Sequence, residues 1–490
     1  MNNAVKCFLG RVAAGMLVAG LWGCTVGPDY RPPATDVPAA WSGVTGTTES
    51  HPSTATDRPV PLAAWWRTFN DPELTKLVEA ALSANLDVRL AEARLRQARA
   101  ARGIVAGDLW PSVDGSSSYE HVSASANDGG GGGPGSGHNM YQAGFDAVWE
   151  LDIFGGLRRN VEVADATFQS AREGLRDAQV SLAAEVALNY IQLRGFQQQL
   201  AVAQENLQAQ QHTAALTRQK FNAGFVGALD VANADSQVAT TAAQIPLLQV
   251  AARQAIHALG VLLAQPPASL VTELSTPQPL PLTPAEVPVG LPADLLRRRP
   301  DIRAAEAQLH AATAQIGVAT ADLFPKFSLT GNLSWQSNLL EKWLTSANRS
   351  FSIGPLVDWP LFQGGSITAN IRQQRALREQ AFFSYQKTVL TAFQDVENAL
   401  VAYGQEGEHR QALNDAVTAS RKAATVAMQL YRAGETDFLN VLQAQASLYA
   451  AQNALVQSNS STCQDLIALY KALGGGWEPG LTGARPAVAN

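Results

Sequence analysis

The segment Phe327-Ser-Leu-Thr-Gly-Asn-Leu-Ser-Trp335 decides the fold, because its side chains alternate without error. Phenylalanine, leucine, glycine and tryptophan occupy one face, and serine, threonine and asparagine occupy the other. A period of two residues predicts a β-strand with one apolar and one polar face. Over about ten residues, with aromatic side chains near the ends, this pattern is typical of a strand in a membrane-spanning β-barrel. An amphipathic strand of a β-sandwich is the alternative, because alternation alone fits both.

Three further runs repeat the pattern. Those over 351–359 and 141–151 place apolar or aromatic residues at every other position. The run over 112–122 is the weakest, with few apolar residues among its serines. The four runs form two pairs joined by long polar loops, one of which is the glycine-rich 126–138. The sequence therefore predicts four strands in two hairpins.

The chain also contains an internal repeat. Asp87-Val-Arg-Leu-Ala-Glu-Ala93 recurs 214 residues later as Asp301-Ile-Arg-Ala-Ala-Glu-Ala307. Phe221-Asn-Ala-Gly224 recurs 210 residues later as Tyr431-Arg-Ala-Gly434. This period is far longer than that of a solenoid, so we interpret it as a duplicated unit of domain size. Each unit is predicted to contain a helix, two strands and two further helices.

The distribution of prolines predicts the helices. The helices predicted over 86–108 and 300–322 are each followed closely by a proline, and no proline occurs over 157–245 or 366–478. Within the last stretch, small and apolar residues recur at steps of three and four, which predicts a narrow coiled-coil-like seam. A helix over 366–432 would be about 100 Å long.

Four strands are too few to close a barrel. The smallest membrane barrels have about eight strands, and open strand edges are not tolerated in lipid. The apolar seam of each long helix is only a few residues wide, and the helices of one copy alone could not bury it. We therefore expect several copies of the chain to form one tube, with the polar strand faces lining a water-filled interior.

The composition restricts the class of protein further. Of the 490 residues, 46% are hydrophobic and 16% are charged, with a net charge of −6. This mild acidity argues against nucleic-acid binding. No 18 apolar residues run without interruption, which excludes a protein built from transmembrane helices. The three cysteines cannot by themselves form a disulfide framework or a zinc site.

The N-terminus resembles a bacterial lipoprotein signal. Two basic residues precede an apolar run over 12–21, and Leu21-Trp-Gly-Cys24 follows. This order predicts a signal peptide over 1–23 and acylation of Cys24 with a diacylglycerol and an N-acyl chain. Thr25 in place of aspartate implies sorting to the outer membrane, by resemblance to Gram-negative lipoproteins. A plain signal peptide cut elsewhere is the alternative.

No set of catalytic residues is found in the sequence. The seven histidines lack the spacing of zinc proteases, and the glycine-rich 129–135 lacks the Lys-Ser/Thr of a phosphate loop. Ser384-Tyr-Gln-Lys387 lies inside a predicted helix without the motifs that accompany S-x-x-K in enzymes. We interpret Arg297-Arg-Arg299 as a solvated or carboxylate-paired helix start. The protein is therefore predicted not to be an enzyme and to need no cofactor.

The residues expected to carry function lie beside two predicted turns. Gly224 and Gly434 end the long helices, since glycine adopts the left-handed conformation past a helix end. Asp230, Glu435 and Asp437 follow them. If the turns form the far end of a helical tube, these carboxylates line its opening. A ring of like charge there sets the ion preference of the channel and can gate it. The alternative is that they are solvated carboxylates stabilised by helix N-termini.

Together these features resemble the outer membrane factor family, the TolC-like channels, and within it the NodT-type lipoproteins of RND efflux systems. The resemblance covers the chain from the lipoprotein signal to about residue 474, and the motifs that carry it are Cys24-Thr-Val-Gly-Pro-Asp-Tyr30, Trp65-Trp66, Leu295-Leu-Arg-Arg-Arg-Pro-Asp-Ile302 and the Gly434 turn. It implies an α+β fold: a homotrimer with a shared twelve-stranded β-barrel in the outer membrane, continued by a long periplasmic α-helical barrel. It places the helices at about 157–222 and 366–432, 86–108 with 226–264, and 300–322 with 437–473.

The resemblance also implies partners and site residues. The partners would be further copies of the chain, a periplasmic membrane-fusion adaptor, an inner-membrane RND pump and outer-membrane lipid, without nucleic acid. Gly224 and Gly434 would mark the surface that docks the adaptor. The periplasmic aperture would be lined by Asp230, Glu435, Asp437, Asn440 and Gln443. The last two occupy positions where some members of the family carry aspartates, so a strongly anionic aperture is not expected from them.

The predicted organisation is a signal peptide (1–23), a lipidated segment (24–61), a first repeat (62–264), an equatorial linker (265–298), a second repeat (299–474) and a C-terminal tail (475–490). The predicted function is that of a passive exit duct in the Gram-negative outer membrane, through which a tripartite efflux pump expels small molecules. One alternative is the exit duct of a type I protein secretion system. Another is a structural coiled-coil lipoprotein, which leaves the four strands unexplained.

Overall fold

The structure, a computed structural model, describes residues 25–42, 54–56, 62–123, 137–283, 286–290 and 292–477. These residues form mainly α-helices, together with a four-stranded antiparallel sheet. The chain divides into two units. The first contains the described parts of Met1–Ala34, Arg94–Arg172 and Ala304–Gln386, and the second those of Thr35–Ala93, Glu173–Arg303 and Lys387–Asn490. Cys24 and the predicted signal peptide lie outside the described residues.

The six helices predicted from the sequence are confirmed to within two residues at each end, and three shorter helices in the described part of the chain were not predicted. In chain order they are α1 (Pro72–Ala84), α2 (Leu86–Gly107), α3 (Gly156–Asn222), α4 (Ala228–Leu262), α5 (Val271–Leu274), α6 (Pro292–Arg298), α7 (Pro300–Ala321), α8 (Ser366–Ala433) and α9 (Phe438–Ala472). A 3-10 segment, Leu62–Phe69, precedes α1. Along the predicted seam of α8, Val389, Val396 and Val417 are buried, as a coiled-coil-like packing requires.

The core of the second unit surrounds Trp65 of the 3-10 segment. Its ring stacks on that of Tyr470 in α9 with centroids 5.1 Å apart. A Cβ atom at Gly475 would lie 2.9 Å from Cδ1 of Trp65, so only glycine fits there. Asp71 accepts hydrogen bonds from the first backbone N–H groups of α1 and from the Tyr190 hydroxyl at 2.7 Å. Trp65 and Asp71 therefore join the segment before α1 to the end of α9 and to the middle of α3.

The sheet lies in the first unit and consists of β2 (Ser112–Ser123), β3 (Gly137–Leu151), β5 (Lys326–Ser337) and β6 (Arg349–Asp358), in that order. Two shorter strands, β1 (Thr54–Thr56) and β4 (Glu286–Pro288), pair in parallel in the second unit. The weakest predicted strand is confirmed, since every residue of β2 pairs with β3. The outer strands β2 and β6 each pair on one side within the described sheet.

The pairing register separates apolar from polar side chains. One row across the sheet joins Asp114, Asp146, Asn332 and Ser352, and the adjacent row joins Val113, Ala147, Gly331 and Ile353. We call the two surfaces the polar face and the apolar face. On the apolar face Val113, Phe351 and Ile353 are 65%, 73% and 74% exposed. A sheet with an exposed apolar face and a polar opposite face needs an apolar environment on one side only.

Two tryptophans in equivalent positions of the repeat attach the strands to the preceding helices. Nε1 of Trp149, near the end of β3, donates to the carbonyl of Leu109 at 3.0 Å. Nε1 of Trp359, just after β6, donates to the carbonyl of Leu323 at 3.2 Å. Both carbonyls lie directly after a helix, α2 or α7. The apolar ring and polar N–H of tryptophan suit this position at the end of a membrane-spanning sheet.

Candidate functional site

The two glycine turns have the same geometry. Gly224 after α3 and Gly434 after α8 have φ angles of +78° and +81°. At the first turn the N–H of Phe225 donates to the carbonyl of Lys220 at 2.9 Å, and at the second the N–H of Glu435 donates to that of Leu430 at 2.9 Å. These bonds satisfy carbonyls that the helix end leaves free, and the positive φ is the reason for glycine. The turns lead into α4 and α9.

The two turns lie at the same end of four packed helices. A buried cluster, which we call the tip cluster, joins α3, α4, α8 and α9, and its members are Ala214, Ala234, Tyr431, Phe438 and Val441. The rings of Tyr431 and Phe438 lie 5.6 Å apart across the second turn. The pairs α3–α4 and α8–α9 are two helical hairpins, and we call them the hairpins from here on. Because residues from both hairpins share this cluster, the two predicted turns lie close together in space.

Polar contacts between the hairpins surround the tip cluster. Lys220 of α3 donates from Nζ to the carbonyl of Tyr431, and its Nζ lies 4.4 Å from the centroid of that ring. The Tyr431 hydroxyl donates to Oγ1 of Thr217 at 3.2 Å, and Tyr431 is only 2% exposed. The sequence identified Tyr431 only as part of the internal repeat and of the predicted seam, and it did not indicate Lys220 or Thr217. The available signal was the position of Lys220 in the last turn of α3, where a cation is favourable.

The five predicted aperture residues lie around the turns. Asp230, in the first turn of α4, is half-buried and accepts from the backbone N–H of Gly227 at 3.4 Å. Asp437 is the N-cap residue of α9 and is exposed. Glu435, Asn440 and Gln443 are exposed as well, and Asn440 donates to Oγ1 of Thr436 at 2.8 Å. The cap contact of Asp230 supports part of the alternative interpretation, in which these carboxylates stabilise helix starts.

A second site lies in the first unit, where the residues after Cys24 contact α3 and α7. The N–H of Val26 donates to the carbonyl of Phe154 at 3.1 Å. Gly27 has a φ of +91°, and a Cβ atom there would lie 2.5 Å from the Cα of Gly317. Two glycines therefore allow the segment to lie directly against the backbone of α7.

A buried arginine fixes the same segment electrostatically. Arg159, whose side chain is 5% exposed, donates to Asp29 at 2.6 Å and to Glu162 at 2.7 Å. Its Nε also donates to the carbonyl of Val26 at 3.2 Å. Although burial alone would raise the pKa of Glu162, hydrogen bonds from Arg159 and His310 hold that pKa below its usual value. The guanidinium is thus satisfied on three sides, as a buried charge requires.

Tyr30 completes this contact. Its ring stacks on that of His310 with centroids 4.3 Å apart, and its hydroxyl donates to Glu306 at 3.2 Å. Burial, together with Glu306, raises the pKa of the Tyr30 hydroxyl well above its usual value, so it remains a donor. The rings of Phe154 and Phe324 stack 4.5 Å apart where the strands meet the helices. The segment beginning one residue after Cys24 is therefore held at the helix-side end of the sheet.

A sheet with a polar and an exposed apolar face, in a chain that also forms paired long helices, is typical of an outer-membrane channel of the TolC-like class. The chain belongs to the outer membrane efflux protein family, whose sequence model it matches over residues 77–265 and 291–475. The second match begins 214 residues after the first begins and ends 210 residues after the first ends, which reproduces the two repeat offsets. The protein is therefore an outer-membrane efflux channel with a periplasmic portion, and it is not an enzyme.

Individual relatives agree with this assignment. Nodulation protein T of Rhizobium leguminosarum bv. trifolii is 34% identical over 461 residues, 94% of this chain and 96% of that protein. Toluene efflux pump outer membrane protein TtgC of Pseudomonas putida is 34% identical over 461 residues, 93% of each chain. The solved structure of the outer-membrane channel OprN is similar with a TM-score of 0.86 and 41% identity, covering 93% of this chain and 100% of that one.

Proposed function

We propose that the protein is the passive exit duct of a tripartite efflux pump. An inner-membrane RND transporter would expel small molecules through a periplasmic adaptor into a channel formed by three copies of this chain. The name of the toluene efflux pump relative supports a pump context and small-molecule cargo. The surface around Gly224 and Gly434 would dock the adaptor. The aperture beside it would be lined by Asp230, Glu435, Asp437, Asn440 and Gln443.

The observation that carries this proposal is the four-stranded sheet with its outer strands β2 and β6. An apolar face in lipid requires that strand edges be paired, because lipid offers no hydrogen-bonding partner. Pairing β6 of one copy with β2 of the next would give twelve strands from three copies, above the minimum of about eight for a membrane barrel. The polar face, with Asp114, Asp146 and Asn332, would then line the interior.

Exposed apolar side chains on the helices support the same assembly. On α4 Leu247 and Val250 are 70% and 53% exposed, and on α8 Leu390 and Val401 are 68% and 54% exposed. Among the described helices α4 alone has the length and hydropathy to cross a membrane, with a mean hydropathy of 1.3 in its most apolar window. We infer that neighbouring copies cover these side chains, because α4 packs in the same bundle as the polar helix α8.

We also propose that Cys24 carries a diacylglycerol and an N-acyl chain. The contacts of Val26, Gly27 and Tyr30 support this, since they hold the following residues near the strand ends, where acyl chains on Cys24 would reach lipid. These three acyl chains would anchor the N-terminal segment, and the strands would be a second attachment to the membrane that does not depend on them.

Native mass spectrometry of the detergent-extracted protein, with lipid retained, tests both proposals. We expect a particle of three chains, each with an acyl adduct, which conducts ions when reconstituted in planar bilayers. A monomer that is stable in plain buffer would overturn the shared barrel and the duct. A conducting trimer without an adduct would overturn only the acylation.

A further inference from the structure

The loop between β5 and β6, residues 338–348, has a fixed internal structure. We call it the outer loop, because it lies at the end of the strands opposite to α7 and α8. It contains two 3-10 turns, Leu340–Lys342 and Ser346–Asn348. The carbonyl of Lys342 accepts from the Thr345 hydroxyl at 2.8 Å and from Nδ2 of Asn348 at 2.6 Å. Side-chain bonds of this kind hold a turn in one conformation.

This loop exposes three leucines. Leu339, Leu340 and Leu344 are 56%, 61% and 65% exposed. They are close in sequence and lie on a backbone that its own hydrogen bonds fix, so they stay at the surface. Exposed leucines grouped in one fixed loop mark a surface that contacts lipid or another molecule.

The aromatic side chains show which side of the sheet the loop leans toward. The ring of Trp343 lies 6.3 Å from that of Tyr141, which in turn lies 5.0 Å from that of Tyr119. Tyr119 and Tyr141 are paired residues of the apolar face. The outer loop therefore continues the apolar face and does not fold over the polar face.

Charge at the same rim distinguishes a lipid surface from a purely apolar partner. Arg349, the first residue of β6, pairs with Trp335 on the apolar face and is exposed. Lys342 in the loop is exposed too, beside a single acid, Glu341. A basic side chain next to an aromatic ring at the rim of a membrane-spanning sheet is placed at the level of lipid phosphates.

We propose that the outer loop is a lipid-binding surface for the outer leaflet. Its leucines insert among acyl chains, while Lys342 and Arg349 bind the phosphate groups of anionic lipid. This interaction is independent of the pump partners and of acylation at Cys24, because it involves the opposite end of the strands.

A fluorescent label tests the immersion of the leucines. Leu344→Cys in the full chain is labelled with an environment-sensitive dye and reconstituted in phosphatidylcholine vesicles with or without brominated acyl chains. The buried Cys463 gives little background, because burial raises its thiol pKa to about 12, and the unmodified chain labelled in the same way measures the background from the other cysteines. Gln336→Cys, on the polar face near the same end of β5, is the matched control, and Leu340→Cys is a second test site should the first variant fail to assemble.

We expect brominated lipid to quench the labels at 344 and 340 but not the label at 336. Labels at 344 and 340 that emit as in water and are quenched by iodide would overturn the proposal. So would absence of lipid quenching combined with a disulfide cross-link from Leu344→Cys to a second copy, which would identify a neighbouring chain as the occupant.

The phosphate contacts have a separate readout. Native mass spectrometry counts phosphatidylglycerol retained by the channel in competition with phosphatidylcholine. Lys342→Gln and Arg349→Gln should each lower the retained phosphatidylglycerol about fivefold, the effect of about one basic side chain at an anionic surface. Lys422→Gln, an exposed lysine of α8, is the control and should change nothing. Equal retention in all three variants would contradict the proposed role of the basic residues.

Discussion

The ammonium group of Lys220 lies 4.4 Å from the centre of the Tyr431 ring and donates to the Tyr431 carbonyl. One residue lies in the last turn of the first long helix and the other in the last turn of the second, so a single side chain joins the two hairpins at their turns. Any movement that separates the hairpins there must break this contact, which the hydrogen bond from Tyr431 to Thr217 reinforces.

Lys220→Met should therefore favour separation of the hairpins. A cation–π contact of this kind contributes about 1 kcal/mol, or about fivefold in the equilibrium between joined and separated hairpins. We expect the open fraction of single channels in planar bilayers to rise by about that factor. Lys422→Met is the control at an exposed lysine of α8. Identical open fractions in Lys220→Met and the unmodified channel would contradict a role for this contact in gating.

The carboxylates beside the turns should influence ion preference. Asp230→Asn combined with Asp437→Asn removes two negative charges per chain from the proposed aperture, so we expect weaker preference for cations over anions. The reversal potential in a salt gradient measures this preference. Asp87→Asn, an exposed aspartate of α2, serves as the control. If selectivity and conductance are both unchanged in the double variant, these residues act only at helix starts.

Cys24→Ala should abolish the acyl adduct without releasing the protein from the membrane. The apolar face of the sheet would keep the protein in lipid without the three acyl chains, because exposing its side chains to water is unfavourable. Mass spectrometry reports the adduct, and membrane fractionation reports the location. Complete release of this variant into the soluble fraction would contradict the assignment of the strands to the membrane.

Gly27→Ala should loosen the segment that follows Cys24. The added Cβ atom would lie 2.5 Å from the Cα of Gly317, and alanine is strained at a φ of +91°. We expect a local destabilisation of about 1–3 kcal/mol and faster hydrogen exchange at Val26, whose N–H binds the Phe154 carbonyl. Gly103→Ala, with open space around its Cβ position in α2, is the matched control. Equal exchange in the two variants would show that the close approach is dispensable.

Asp465 in α9 predicts a pH dependence of stability. Burial, and then the neighbouring Glu406, raises its pKa to about 6. The folded chain therefore binds a proton more tightly than the unfolded chain, so stability falls as pH rises from the usual aspartate range to about 6, and the loss is complete above that. Asp465→Asn should stabilise the protein at pH 7 by about 1 kcal/mol, after allowing for partial solvent screening.

Thermal unfolding at pH 4 and pH 7 measures this effect. The gain from Asp465→Asn should be present at pH 7 and small at pH 4, whereas Asp415→Asn, at an exposed position of α8, should show no such difference. A gain of equal size at both pH values would mean that the carboxylate charge is not its cause.

The regular elements could be predicted from the sequence because they depend on local patterns. Alternation over 327–335 and the positions of prolines and of Gly224 and Gly434 predict strands, helices and turns. Strand β2 was harder, since Gly115 and Ser117 occupy positions of its apolar face and weaken the alternation. Its strand character comes from pairing with β3 along its whole length, which a single run of residues does not show.

The contacts of the candidate sites could not be predicted in the same way. Lys220 and Tyr431 are 211 residues apart, and Arg159 and Asp29 are 130 residues apart. No short sequence motif marks either pair, because lysines at helix ends and arginines in first turns are both common. Resemblance to a family indicated that the residues after Cys24 matter. It did not indicate that a buried arginine and a pair of glycines hold them.

The contact of Gly27 with Gly317 has a consequence for the order of biosynthesis. Residues near the N-terminus leave the ribosome first, but their binding surface on α7 is made nearly three hundred residues later. Until then the segment around Cys24 has no place to dock and remains accessible to the enzymes that would cleave and acylate it. Folding of the second repeat ends that interval, so the proposed acylation of Cys24 would precede completion of the chain's own fold.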